Sequence, residues 1–180
     1  MITDEKRISK QISYWLRHHP EDGGLVLDDF GWADIDSLLN ALKARGLVLI
    51  PDDLIKISTS FDKVRWEINA AENKIRATHG HSINVVIEDK ITTPPAVLYH
   101  GTAFKFLESI TARGLKTMSR QFVHLSSEKD VALQVGSRHG KAVVIKVNAQ
   151  LLHNAGHVFY KTSDNVWLTK EIPTAYLDFG

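Results

Sequence analysis

The run Glu88 to Ala96 (EDKITTPPA) constrains this chain more than any other feature. It is polar, and Pro94-Pro95 fits neither a helix interior nor a central strand. It divides a helix-rich first part from a strand-rich second part. The expected organisation is a lobe over 1–90, a linker over 91–96 and a lobe over 97–180. A length of 180 residues suffices for two small lobes.

In the first part, residues 4–18 have helical periodicity, with Ile8, Ile12, Trp15 and Leu16 on one face and Asp4 as N-cap. Pro20 stops that helix. Leu25-Val26-Leu27 is expected to be a short strand, and so is Leu47 to Ile50. Asp34 caps a second helix with Ile35, Leu38, Leu39 and Leu42 as its apolar face, closed by Gly46. Asp52 opens a third helix or turn. Arg65–Ile68 and Lys74–Ala77 form a hairpin across Ala70–Asn73. Short helices followed by a small hairpin suggest a winged-helix-like lobe.

The second part starts with a strand at Val97–His100, then a helix over Phe104–Arg113 ended by Gly114. A strand Phe122–Ser126 and a helix Glu128–His139, capped by Ser127, follow. Further strands are expected at Lys141–Val147, Val158–Tyr160, Val166–Thr169 and Thr174–Leu177. The whole is therefore α+β, the second lobe built around a split sheet. The four tryptophans are read mainly as core.

Composition narrows the chemistry. There is no cysteine, so disulfides, thiolate catalysis and thiolate metal sites are excluded, and a reducing cytoplasm fits. No apolar run approaches the roughly 20 residues of a membrane span. No heptads are visible, and a monomer is the default expectation. A net charge of +1 excludes a bulk polyanion binder, but the charge is uneven. Neither Lys74–Ile87 nor Ile110–Ser127 contains an acid, which suits a small or end-specific anion. GxGxxG, P-loop, HExxH and GxSxG patterns are all absent.

Four clusters remain. Arg17-His18-His19-Pro20 ends a helix, where cations either complement the helix dipole or grip a phosphate through the planar guanidinium fork. Arg76 to Ser82 offers Arg76 as a second phosphate ligand, Gly80 for close backbone approach, and His81 and Ser82 as donors. His79-x-His81 lacks an acidic third ligand nearby, which argues against metal. His100-Gly101-Thr102 stands at a strand end, Gly101 permitting approach of a flat ring and the other two bonding hydroxyls or a carboxamide. In Ser119-Arg120-x-x-Val123-His124-Leu125-Ser126, Arg120 precedes a strand that points Val123 and Leu125 into the core and His124 toward a cleft. Each cluster is weak alone.

In order and spacing, LRHHP, GW before a capped Leu-rich helix, IRA-x-x-GHS, LYHGT, a helix ending RGL, and R-x-x-VHLS together resemble the RNA 2′-phosphotransferase family (tRNA 2′-phosphotransferase, KptA-type) over about Ile8 to Leu177. The resemblance implies a winged-helix lobe that holds RNA and an ADP-ribosyltransferase-like lobe that binds NAD+. It implies a cytoplasmic transferase that consumes NAD+, needs no metal, and acts on RNA with an internal 2′-phosphate, as in tRNA splicing. The implied reaction has two steps. ADP-ribosylation of the 2′-phosphate releases nicotinamide, and transesterification then gives 2′-hydroxyl RNA and ADP-ribose 1″,2″-cyclic phosphate.

By motif, Arg17, His18 and Arg76 are implied to hold the phosphate and Arg120 to support the second step, these four being the catalytic set. His18 is also a candidate general acid, an ordinary imidazole titrating near ~6.5. His100, Gly101, Thr102, His124 and Ser126 are implied to bind NAD+, and His81 and Ser82 to assist with phosphate. The alternative is an ADP-ribosyltransferase that stops after the first step, acting on a nucleic-acid terminal phosphate or a protein. Its catalytic acid on a late strand has only Glu171 as a neighbour to the apolar Val166–Thr169. A third reading, a non-enzymatic nucleic-acid binder, leaves the second lobe without a task.

Overall fold

The computed structural model describes residues 2–61, 64–163 and 165–180. The chain divides into two compact units, Met1–Val86 and Ile87–Gly180. Both mix helix with antiparallel sheet.

The first unit opens with α1 (Ile2–Arg17). Ile12, Trp15 and Leu16 are fully buried and Ile8 nearly so, as the periodicity requires. The helix starts before Asp4, which lies in the first turn instead of capping it; there its charge still complements the helix dipole. β1 (Ala33–Asp34) leads into α2 (Ile35–Ala44), where the Asp34 carboxylate accepts the Ser37 N–H at 2.9 Å. α3 (Pro51–Thr59) takes Pro51 at its first position, where the missing N–H costs nothing. β2 (Trp66–Asn69) and β3 (Lys74–Ala77) form the expected hairpin, with Asn73 at φ 57° in its turn. The sheet order is β1-β3-β2.

Two expected strands are absent. Leu25–Leu27 pairs with nothing; Leu25 donates its N–H to Pro20 at 2.9 Å and buries its side chain. Leu47–Ile50 is likewise unpaired and ends as the lead-in to α3. In both places the leucines (Leu25 and Leu27, Leu47 and Leu49) pack against the core without joining a ladder, while Val26, Val48 and Ile50 stay exposed. Trp66 sits at its centre, donating its indole N–H to the Leu54 carbonyl at 3.0 Å. Trp32 is only partly buried, so it is not a core residue.

The second unit starts with the polar run. Its Glu88–Lys90 segment is a 3-10 turn, and Thr92 donates to Phe159 at 2.9 Å. The elements that follow are β4 (Leu98–Ala103), α4 (Leu107–Arg113), β5 (Val123–Leu125), α5 (Lys129–Ser137), β6 (Ala142–Val147), α6 (Ala149–Asn154), β7 (Phe159–Ser163), β8 (Val166–Thr169) and β9 (Leu177–Asp178). They make two three-stranded sheets, β4-β6-β9 and β5-β8-β7. These are stitched at one point, where Tyr99 and Ser126 exchange backbone bonds of 2.8 and 2.7 Å.

Three expectations need correction here. Glu128, not Ser127, is the cap of α5, and the Ser126 hydroxyl accepts the Glu128 N–H at 3.2 Å. Thr174–Tyr176 is a 3-10 turn, and only Leu177–Asp178 pairs as a strand. The short α6, capped by Asn148, was not foreseen.

α5 packs directly on β4 through two glycines. A Cβ on Gly101 would lie 1.7 Å from the Ala132 carbonyl oxygen, and one on Gly136 would lie 2.5 Å from that of Thr102. In an open helix, Gly136→Ala would gain about 1 kcal/mol of propensity. Here overpacking, worth about 1–3 kcal/mol or more, reverses the sign. Both Gly136→Ala and Gly101→Ala are expected to lower the melting temperature in a thermal scan, and a stabilised Gly136→Ala would show that this contact is looser than described.

Candidate functional site

The first unit gathers one group of predicted residues. Arg17 is the last residue of α1, and its carbonyl accepts the N–H of Ser82 at 3.0 Å. That bond ties the segment after β3 to the helix end. It also sets His18 against Ser82, with Nδ1 to Oγ at 2.8 Å. Gly80, at φ 86°, leaves room for the Arg17 guanidinium, which a Cβ would meet at about 3.4 Å. The close approach anticipated at Gly80 is thus made by Arg17.

Arg76 reaches the same place from β3. Ile75 and Ala77 turn into the core, so strand alternation sends Arg76 to the other face. Its side chain is 5% exposed and firmly held. Nε donates to the Glu67 carboxylate, Nη1 donates to the Phe30 carbonyl at 3.4 Å, and the guanidinium stacks on Trp32 at 4.5 Å. Sequence reasoning missed Glu67, Phe30 and Trp32. The Gly31-Trp32 pair was a usable signal, since the turn at Gly31 delivers an indole against the arginine.

His81 lies among these groups. It is 6% exposed, and its Nε2 has no hydrogen-bond partner among the described residues. Burial first, then the charges of Arg17, His18 and Arg76, push its pKa down to about 4. It is therefore a neutral imidazole inside a cationic cluster, an arrangement that favours an incoming anion. His79, buried beside them, is bonded to its neighbour. The Thr78 hydroxyl donates to the Val64 carbonyl at 3.0 Å, so it accepts from His79 Nδ1 at 2.9 Å. Among the described residues no group of three His, Cys, Asp or Glu could hold a metal ion.

The second unit holds the other predicted residues. His100 and Thr102 share the β4 face of the core residue Leu98, and α5 covers the opposite face at Gly101. Gly101 therefore serves helix packing, and the space where its Cβ would stand is filled by α5. His100 Nδ1 lies 2.8 Å from the His124 carbonyl. A carbonyl only accepts, so Nδ1 carries the hydrogen and Nε2 of the neutral ring is an acceptor. Burial lowers the His100 pKa and the bond to His124 partly offsets this.

His124 is half-buried between the core residues Val123 and Leu125, as alternation predicts, with Nδ1 donating to the Phe122 carbonyl at 3.2 Å. Ser126 is buried and spends its oxygen on the start of α5. Arg120 closes an exposed turn, donating its N–H to Thr117 at 3.1 Å around Met118 at φ 31°. Desolvation and the charge of Arg138 lower its pKa. Glu171 is paired with Lys116 at 3.0 Å.

A family model described as RNA 2′-phosphotransferase, Tpt1 / KptA family, matches residues 3–171. Proteins named probable RNA 2′-phosphotransferase are similar along almost their whole length. That of Flavobacterium johnsoniae is 45% identical, covering 97% of this chain and 96% of its own. That of Streptomyces coelicolor is 42% identical, over 96% and 94%. That of Pseudomonas aeruginosa is 45% identical, over 94% and 93%. The chain belongs to the Tpt1/KptA family of RNA 2′-phosphotransferases and is an enzyme of the transferase class. No helix among its described residues is long and apolar enough to cross a membrane.

Burial of neutral His81 has a pH signature. Between pH 6.5 and about 4 the unfolded chain takes up a proton that the folded site refuses. Stability is therefore full above pH 6.5 and falls as pH drops toward 4, by about 3 kcal/mol at roughly 1.4 kcal/mol per pKa unit. Denaturant unfolding at pH 7 and pH 4.5 should show a smaller difference for His81→Gln than for the parent. Equal pH dependence in both would place the effect elsewhere.

Proposed function

We propose that this enzyme removes an internal 2′-phosphate from RNA at the expense of NAD+. The observation that carries the reading is the first unit's cluster of Arg17, His18 and Arg76 around neutral His81. Two guanidiniums suit a phosphate dianion better than lysines would, because their planar forks match its oxygens. Ser82 adds a hydroxyl beside His18. The unit's element order, with α1, β1, α2 and α3 followed by the β2–β3 hairpin, supports reading it as a winged-helix lobe that holds the RNA.

The second unit is the NAD+-binding lobe on this reading, of ADP-ribosyltransferase type. Two small antiparallel sheets stitched at one backbone pair support it, as does the lack of a dinucleotide-binding glycine motif. His100 fits the co-substrate because its neutral ring offers Nε2 to a ribose hydroxyl. Thr102 and His124 complete the binding set. Gly101 contributes by seating α5, and Ser126 by anchoring its start.

The RNA 2′-phosphate attacks the anomeric carbon of the nicotinamide riboside and displaces nicotinamide. It arrives ionised and needs no general base. The pairing of Glu171 with Lys116 agrees with that, and weighs against an ADP-ribosyltransferase reliant on a late acidic residue acting on a terminal phosphate or protein. Attack on the phosphorus by the adjacent 2″-hydroxyl then frees 2′-hydroxyl RNA and leaves ADP-ribose 1″,2″-cyclic phosphate. His18 protonates the departing RNA oxygen. Arg120 stabilises the charge that grows on the phosphorus, with no metal.

The test mixes the protein with NAD+ and a short RNA bearing one internal 2′-phosphate, without added metal, and follows the RNA on a gel. NAD+-dependent conversion to the 2′-hydroxyl form is expected. Arg120→Ala is expected to accumulate the ADP-ribosylated RNA, and Arg17→Ala to slow both steps. RNA left unchanged by folded protein would overturn the reading, and equal loss of both steps in Arg120→Ala would overturn that residue's role.

A further inference from the structure

The turn that holds Arg76 carries an exposed aromatic ring. Within Asp28–Trp32, the Asp28 carboxylate accepts the N–H groups of Phe30 and Trp32 at 3.0 and 2.9 Å. Gly31, at φ 85°, donates to the Asp28 carbonyl at 3.0 Å. The Asp29 carbonyl accepts from Val86 at 2.8 Å. The turn is thus fixed internally and anchored to the end of its unit. Its Phe30 carbonyl accepts from Arg76, and its Trp32 ring lies against the same guanidinium. The Phe30 side chain is left 47% exposed.

Single exposed apolar residues are ordinary. Phe30 differs because its own backbone is a ligand of the buried arginine in the anion cluster. A ring on a rigid turn, one residue from that contact, loses little entropy on binding a flat partner. Resting on the function proposed above, we propose that Phe30 is a stacking platform for the base of a nucleotide flanking the 2′-phosphate. The charges at the turn favour a base over a backbone phosphate. The Asp29 carboxylate is exposed beside Phe30, and that of Asp28 lies 3.8 Å from Lys74. With Asp28 engaged by Lys74 and two N–H groups, the exposed Asp29 disfavours a phosphate at the ring and leaves the aromatic face to an uncharged base. Stacking of this kind tolerates any base, so it adds affinity without strict sequence choice.

The test measures binding by fluorescence anisotropy, without NAD+, of a labelled RNA tetranucleotide carrying one internal 2′-phosphate. Phe30→Ala should weaken binding about ten-fold or more, while Phe30→Trp should keep it. Competition by inorganic phosphate should be the same for all three proteins, because the cation cluster is untouched. Removing the bases that flank the 2′-phosphate should bring the parent to the level of Phe30→Ala and cost that variant nothing further. Unchanged RNA affinity in Phe30→Ala, or an equal abasic loss in both proteins, overturns the stacking role and leaves the function standing. A parent protein that binds 2′-phosphorylated and 2′-hydroxyl RNA equally overturns both.

Discussion

Two arginines and His18 bear on one buried histidine, and the first unit is arranged around keeping that possible. Like charges this close repel, so each needs a hold that does not depend on a ligand. Arg76 has Glu67, the Phe30 carbonyl and the face of Trp32. Arg17 sits at the C-terminal, electronegative end of α1 and lies along Gly80. The bond from Ser82 N–H to the Arg17 carbonyl then closes the seam between helix end and strand end. His81 avoids adding a further charge by remaining neutral.

The second unit reaches a similar result by packing. Where Gly101 and Gly136 remove two side chains, α5 sits on the backbone of β4. That commits one face of the strand to the helix and directs His100 and Thr102 to the other. The bond from His100 to the His124 carbonyl fixes the ring and its tautomer across the junction of the two sheets. The His100-Gly101-Thr102 motif thus combines two side chains on one face of the strand with a packing residue between them.

Features that depend on local order were legible in the sequence. The buried face of α1, the Asp34 cap and the β2–β3 hairpin follow from spacing and turn chemistry alone. Leu25–Leu27 and Leu47–Ile50 misled because a short apolar run only brings its leucines to the core, whereas a strand also needs a distant partner. α6 is too short to show a period, and Asn148 is a weak cue by itself. Within the site, Arg17, His18, Arg76, His81 and Ser82 were readable as residue types. Their supports were not, because Glu67 and Phe30 meet Arg76 only through the folded sheet and turn. The packing of α5 on Gly101 was not legible for the same reason, since Ala132 is distant in sequence.

The first unit holds His81 neutral, and this bears on how the proposed phosphate capture responds to pH. Arginine keeps its charge throughout the physiological range. Arg17 and Arg76 therefore present a constant field, and His81 stays uncharged until about pH 4. A phosphate monoester takes its second negative charge near pH ~6. Between about pH 5 and 7, the affinity of the cluster should then follow the ligand's second ionisation more than titration of His81. If His81 were an ordinary imidazole, its own loss of charge over this interval would oppose the ligand's gain. Holding it neutral removes that opposition, so the proposed preference for the dianion would draw on a residue that contributes no charge to the cluster.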